Sequence, residues 1–151
     1  MLSSTGGTIH ASAVLVGERA VLIRGTSRSG KSRLVLNLLN AANSGLLAYA
    51  CLVADDRVKL FAAHGRLIAS APEPILGLIE VNGLGVRQKD YEPIAVVGLI
   101  VDLAANDGAR MPDAKARAAE ILGIKIPRLP IAAGENAFPL LLAALTTKRK
   151  V

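Results

Sequence analysis

One eight-residue segment, Gly25-Thr26-Ser27-Arg28-Ser29-Gly30-Lys31-Ser32, constrains this chain more than any other. It is too polar and too rich in Gly and Ser for a strand or a helix. An apolar run, Ala20–Arg24, precedes it, and Leu34, Leu38, Ala41 and Ala42 recur after it at helical spacing. A strand, a glycine loop and a helix in that order gather backbone N–H groups around an anion. The glycines permit positive φ and close backbone approach, and the helix aims its positive N-terminal end at the same point. Lys31 adds a point charge for the β/γ-phosphates, and Ser32 adds a hydroxyl for Mg²⁺. The pattern G-x-x-x-x-G-K-[ST] arises by chance in roughly one chain of this length in a few hundred. The flanking strand and helix lower that further. Gly25 through Ser32 are therefore assigned to a nucleoside triphosphate, taken as ATP with Mg²⁺.

Composition narrows the architecture. Length 151 with 52% hydrophobic and 20% charged residues fits one globular domain. Aromatics are 3% and Trp is absent, so the core must be built from Ala, Val, Ile and Leu, which suits helices on a largely buried sheet. The same scarcity argues against base-stacking nucleic-acid modules. The formal charge is +6, but only Lys148-Arg149-Lys150 forms a basic cluster, and the scattered remainder reads as solvated surface. No apolar run approaches the ~18 residues of a membrane span, and Asp102 interrupts the most apolar stretch, Ile94–Ala105. Met1–Thr8 carries no basic residue and no signal-type block, and Cys51 alone reads as a small core residue. A cytoplasmic protein with neither membrane nor nucleic-acid partner is expected.

Along the chain, Ile9–Val16 and Ala20–Arg24 read as a hairpin turning at Gly17-Glu18. The helix from Lys31 should stop at Asn43–Gly45, with Gly45 in the left-handed cap position. Leu46–Ala54 reads as a fully buried strand, and Val58–Phe61 with Arg66–Ala69 as a second hairpin around His64-Gly65. Ile75–Val81 is a short helix or a strand. Ala95–Leu103 is another buried strand, Met111–Leu122 an exposed helix, Ile124–Ile131 an edge strand and Ala137–Leu145 the last helix. The expected fold is α/β: a P-loop nucleotide-binding core with a mixed twisted sheet.

A phosphate loop needs a carboxylate at the end of a neighbouring strand. Asp55-Asp56, ending the run Leu46–Ala54, stands in that place, so that one acid can serve the metal while the other takes a proton. On its own the pair would read as a solvated turn or a partner of Arg57.

The order His10, the loop, Val53-Ala54-Asp55-Asp56-Arg57-Val58 and then Ile79-Glu80-Val81-Asn82-Gly83-Leu84-Gly85-Val86 resembles the HPr kinase/phosphorylase family. The resemblance covers roughly residues 8–144 and is to a short form holding only the C-terminal catalytic domain. It implies one catalytic domain over residues 1–151, with a basic tail at 146–151 and a core like that of phosphoenolpyruvate carboxykinase. It implies ATP-dependent phosphorylation of a serine on HPr or an HPr-like phosphotransferase-system carrier, with phosphate-driven reversal in many members. Catalytic roles fall on His10, Lys31, Asp55 and Asp56, with Asp56 as proton acceptor. Metal ligation falls on Ser32, Glu80 and Asp55. Members are commonly hexameric, so a homo-oligomer is implied.

Two positions depart from the family pattern. Asn82 stands where Glu-x-Arg-Gly-Leu-Gly has its arginine, and Glu135 stands where a Gly-Arg-Asn has one. Both changes remove positive charge that the reverse reaction uses to gather phosphate. Glu135 is expected to turn toward solvent or to pair with Arg128 or a tail cation. Two other classes stay compatible with the residues: a sensor module that binds ATP without transfer, and a small-molecule kinase or nucleoside triphosphatase.

Overall fold

The structure, a computed structural model, describes residues 4–148. Residues 1–3 and 149–151 lie outside it, and with them the start of Met1–Thr8 and Arg149 and Lys150 of the basic tail. The elements are β1 (Ser4–Ile9), β2 (Ala11–Val16), β3 (Arg19–Arg24), α1 (Lys31–Asn43), β4 (Ala50–Ala54), β5 (Val58–Ala63) and β6 (Arg66–Ser70). Then come β7 (Leu78–Val81), β8 (Gly85–Gln88), β9 (Ala95–Asp102), β10 (Ala118–Ile121), β11 (Ile124–Pro130) and α2 (Ala137–Thr146).

A nine-stranded mixed sheet runs β1-β5-β6-β9-β3-β2-β4, with β11 on β9 and β10 on β11. Strand β9 is parallel to β3 and to β11, and the other pairings are antiparallel. The period-2 alternation of β3 divides the core. Ala20 and Leu22 enter a cluster drawn from strands and their connections, including Val58, Leu60, Leu67 and Ile126. Val21 and Ile23 face the helices, meeting Leu34, Val35 and Leu38 of α1 and Leu141 of α2. This is the expected α/β class.

The helix α1 ends as expected. Gly45 has φ 83°, its N–H donates to the Ala42 carbonyl, and the Leu46 N–H donates to the Ala41 carbonyl. That is a Schellman cap. The cap also explains one correction, because Leu46–Tyr49 belong to the turn that leaves the helix and only Ala50–Ala54 form a strand. Leu46 is 56% exposed, so the expected buried strand over Leu46–Ala54 is half its length.

A second correction lies at the start, where Ile9–Val16 is two strands broken at His10. β1 pairs with β5, whereas β2 pairs with β3 and β4. The largest correction is Met111–Leu122, which forms no helix. Asp113 accepts from the Ala116 N–H, and the next hydrogen-bonded step, Arg117 N–H to Ala114 carbonyl, closes a single turn. The chain then pairs as β10 with β11 across Leu122 (φ 50°) and Gly123 (φ 79°). Ala119 and Ile121 alternate into the strand-side core, a period-2 pattern that the local charges obscure. Ile124–Ile131 is likewise more than an edge, since its first half holds β10 and its second half holds β9. The remaining ambiguous stretch, Ile75–Val81, resolves into a short 3₁₀ turn at Glu73–Ile75 and strand β7, which pairs with β8.

The parallel strands β3 and β9 end side by side, with Arg24 opposite Asp102. The Asp102 carboxylate accepts from Arg24 Nε at 2.6 Å and Nη2 at 2.7 Å, and from Arg128 Nε at 2.5 Å. Arg128 also makes a two-point pair with Asp107 at 2.6 and 3.0 Å. That pair raises the Arg128 pKa. Burial pushes the Asp102 pKa up, but the hydrogen bonds from Arg24 and Arg128 outweigh it, and the net value lies below the ordinary one.

Removing Asp102 would leave two guanidiniums facing each other, so Asp102→Asn should cost about 3 kcal/mol by chemical denaturation. Because the folded pKa is depressed, this carboxylate contributes fully above the ordinary carboxylate range and loses its contribution as pH falls through the folded value. Asp102→Asn should therefore flatten that part of the acid limb of a stability-versus-pH curve.

Candidate functional site

The loop Gly25–Gly30 leaves the end of β3 and feeds α1. Gly30 occupies the N-cap position with φ 102°, and no side chain caps the helix. The first-turn N–H groups are thus left for an external acceptor, and no acidic residue stands in that turn to repel an anion. Arg28 takes φ 69° at the loop's exposed crest. Gly25 is required by close approach. A Cβ there would run into Ser29 Oγ and lie 3.2 Å from Leu103 Cβ. Ser29 Oγ itself is buried and has no hydrogen-bond partner among the described residues.

Lys31 is 5% exposed, and its Nζ donates to the Gly25 carbonyl at 2.8 Å and the Thr26 carbonyl at 3.0 Å. Among the described residues no carboxylate lies within ion-pair distance of it. A buried ammonium held only by neutral carbonyls is costly, and an arriving anion would relieve that cost.

Asp55 is also 5% exposed and also lacks an ionic partner among the described residues. Its carboxylate accepts from Ser12 Oγ at 2.8 Å, from Ser32 Oγ at 2.9 and 3.0 Å, and from the Glu80 backbone N–H at 3.3 Å. Three separate elements, β2, α1 and β7, thus converge on one carboxylate at the end of β4. The Ser12 hydroxyl further accepts from the Asp56 N–H at 3.1 Å. Asp56 sits in the left-handed region at φ 68°, a conformation that Asp tolerates better than most residues. The kink turns its side chain outward, 61% exposed, to within 3.7 Å of His10 Nδ1. His10 is 56% exposed at the β1–β2 break.

The structure therefore brings Lys31, Ser32, Asp55, Asp56 and His10 to one end of the sheet. Glu80 arrives there by its backbone, and its side chain is exposed. Alternation along β7 sends Ile79 into the core beneath α1 and Glu80 the other way. Ser32 and Asp55 supply hard oxygen donors. Among the described residues no three His, Cys, Asp or Glu side chains converge into a metal cage. One or two carboxylates with a hydroxyl suit an Mg²⁺ that shares its shell with phosphate oxygens.

Glu135 takes the first of its two expected courses, toward solvent. Its proposed partner Arg128 is committed to Asp102 and Asp107, and among the described residues Glu135 makes no ion pair. It is exposed, as expected, yet it lines a cavity that starts at Ser29 and Gly30. The tail residues Arg149 and Lys150 lie outside the described chain. A carboxylate within 4 Å of a phosphate charge would be repelled by about 4 kcal/mol at an effective dielectric near 20.

Sequence reasoning missed Ser12 and the Arg24–Asp102–Arg128 brace. Ser12 did carry a signal, a lone hydroxyl in the apolar run Ala11-Ser12-Ala13-Val14, and the structure buries it fully. No local signal existed for the brace, whose partners are 26 and 78 positions apart.

The family model described as HPr Serine kinase C-terminal domain matches residues 3–150. The chain is 31% identical to an HPr kinase/phosphorylase of Chromobacterium violaceum, over 91% of this chain and 46% of that protein. It is 33% identical to one of Variovorax paradoxus, over 83% of this chain and 41% of that protein. The chain thus spans less than half the length of these relatives. The solved structure of the Hpr(Ser) kinase/phosphatase from Coxiella burnetii superposes with a TM-score of 0.72 at 28% identity, covering 91% of this chain and 92% of that one.

Gly25→Ala should weaken pyrophosphate binding by at least about tenfold, equivalent to 1.4 kcal/mol, as measured by calorimetry, while the chain stays folded by circular dichroism. Adding Ser29→Ala, which removes the hydroxyl in the way, should restore part of the loss.

Proposed function

The chain belongs to the family of the HPr serine kinase C-terminal domain, and from that premise we propose that it transfers the terminal phosphoryl group of ATP to a serine of an HPr-like carrier protein. One observation supports this reading above the rest. Two buried, oppositely charged groups, Lys31 and Asp55, stand at one loop, each hydrogen-bonded to neutral groups and neither in an ion pair among the described residues. Such an arrangement is costly alone and suits a polyphosphate and a divalent cation arriving together.

In this reading the phosphates lie on the α1 N-terminus and the N–H groups of residues 25–32. Lys31 exchanges one of its carbonyl contacts for a phosphate oxygen. Ser32 and Asp55 would hold Mg²⁺, with Glu80 beside them, and the bound ion would neutralise phosphate charge. The acceptor serine approaches from the open side, where Asp56 and His10 are exposed. Its Oγ bonds to the terminal phosphorus as the bond from that phosphorus to the bridging oxygen breaks. ADP leaves, and the hydroxyl proton passes to Asp56. His10, 3.7 Å away, orients that carboxylate and can stabilise its charge.

Labelled ATP and candidate carriers test the proposal. A labelled carrier serine supports it, whereas binding without transfer favours a sensor module. Asp56→Asn should reduce transfer by at least about 10²-fold, the lower range for a lost general base, and leave ATP affinity within a few-fold. Lys31→Ala should lose both transfer and ATP affinity. Near-wild-type turnover in either variant contradicts the assigned role.

A further inference from the structure

The phosphate loop has two flanks, and the reacting groups occupy only one. In the strand order β9-β3-β2-β4, the loop rises from β3. Asp55, Asp56, Ser12 and His10 lie on the β2–β4 side. On the β9–β11 side lies a cavity of about 580 Å³ between the first turns of α1 and the segment 131–138. Its volume is that of a small-molecule site. Arg33 and Asn37 border it from α1, Leu103 and Ala104 from the end of β9, and Glu135 and Phe138 from the opposite wall. Because it opens at Ser29 and Gly30, it is continuous with the loop. A donor whose terminal phosphate points toward Asp56 must carry its remaining bulk to this flank.

Glu135 is held at the rim of that cavity. Its N–H donates to the Ala132 carbonyl at 3.1 Å, and Asn136 immediately after it caps α2 by accepting from the Phe138 N–H at 3.3 Å. The whole segment is anchored to the brace at the end of β9, since the Ile131 N–H donates to the Asp102 carbonyl at 2.8 Å. A carboxylate accepts hydrogen bonds and donates none. It disfavours the phosphate end of a nucleotide and suits a part that is uncharged and rich in O–H donors. Phe138, Leu103 and Leu34 give the same cavity an apolar wall for a planar ring.

We propose that this cavity takes the ribonucleoside half of the phosphate donor, and that Glu135 is its specificity-determining residue, accepting hydrogen bonds from the vicinal ribose hydroxyls. This rests on the donor reading given above. A charge-assisted hydrogen bond of this kind gives about tenfold discrimination or more.

The test is calorimetric binding, with Mg²⁺ present, of a non-hydrolysable ATP analogue, its 2′-deoxy form and inorganic tripolyphosphate. The proteins are the wild-type chain and Glu135→Ala, which removes the acceptor, each checked for folding by thermal melting. The wild-type chain should bind the ribonucleotide about tenfold more tightly than the deoxy form, and more tightly than tripolyphosphate. Glu135→Ala should bring the ribo and deoxy forms to within about twofold, while tripolyphosphate affinity stays equal or rises. A wild-type ratio near one, or a ratio unchanged in Glu135→Ala, overturns the role of Glu135. Tripolyphosphate binding as tightly as the nucleotide overturns occupation of the cavity and leaves the phosphate-loop assignment standing. Failure of all three ligands to bind overturns both.

Discussion

Asp55 is the point on which the candidate site depends. A buried carboxylate without an ionic partner must find hydrogen-bond donors, and here they come from Ser12, Ser32 and the Glu80 amide. Each donor belongs to a different element, so satisfying one charge fixes β2, α1 and β7 against the end of β4. The same contacts set the position of Ser32, the last residue of the phosphate loop. Ser12 extends the arrangement by holding the Asp56 amide, and the left-handed turn at Asp56 then delivers its carboxylate to the exposed side near His10. Two adjacent aspartates therefore end in opposite environments, one sealed under the loop and one facing solvent. In the proposed reading, that separation lets one serve a metal and the other a proton.

The loop's other end is fixed by different physics. Arg24 precedes Gly25 directly and is clamped to Asp102, which is clamped to Arg128. In many phosphate-loop folds the neighbouring parallel strand ends in a carboxylate that meets the metal. Asp102 occupies that station here, yet both its oxygens are taken by guanidiniums. The carboxylate proposed for the metal stands instead at the end of β4, two strands away across β2. The loop is thus suspended between a rigid ionic brace on the β9 side and a hydroxyl-lined carboxylate on the β4 side.

Sequence made the geometry of the loop legible because that geometry is local. Gly25, Gly30, Lys31 and Ser32 fall within eight residues, and the Schellman cap at Gly45 follows from one glycine after a periodic helix. The Asp55-Asp56 pair was visible from its position after an apolar run, and the family resemblance implied a separate role for each acid, but the burial that sets their environments apart was not visible, because Ser12 lies 43 positions away. The failures share a cause. Met111–Leu122 carries charges that mimic an exposed helix, but Ala119 and Ile121 bury on one strand face and β11 supplies the hydrogen bonds. Leu46–Tyr49 reads as apolar strand, although the Leu46 and Leu47 amides are held by the Ala41 carbonyl at the helix end. A hairpin partner overrode the local pattern in the first case, and a helix cap did so in the second. Glu135 is exposed, as expected; the alternative pairing with Arg128 is closed because two aspartates, which the sequence could not place beside that guanidinium, claim it.

The central claim is that the unpaired Lys31 and Asp55 are a split receptor for a polyphosphate with its metal. A crystal structure of the chain with Mg²⁺ and a non-hydrolysable ATP analogue tests it most directly. The account predicts triphosphate along the α1 N-terminus, Lys31 Nζ moved from a loop carbonyl onto phosphate, and Ser32 Oγ turned from Asp55 onto the metal. Triphosphate bound elsewhere, or bound here with the Lys31 carbonyl contacts and the Ser32–Asp55 hydrogen bonds intact, would contradict it.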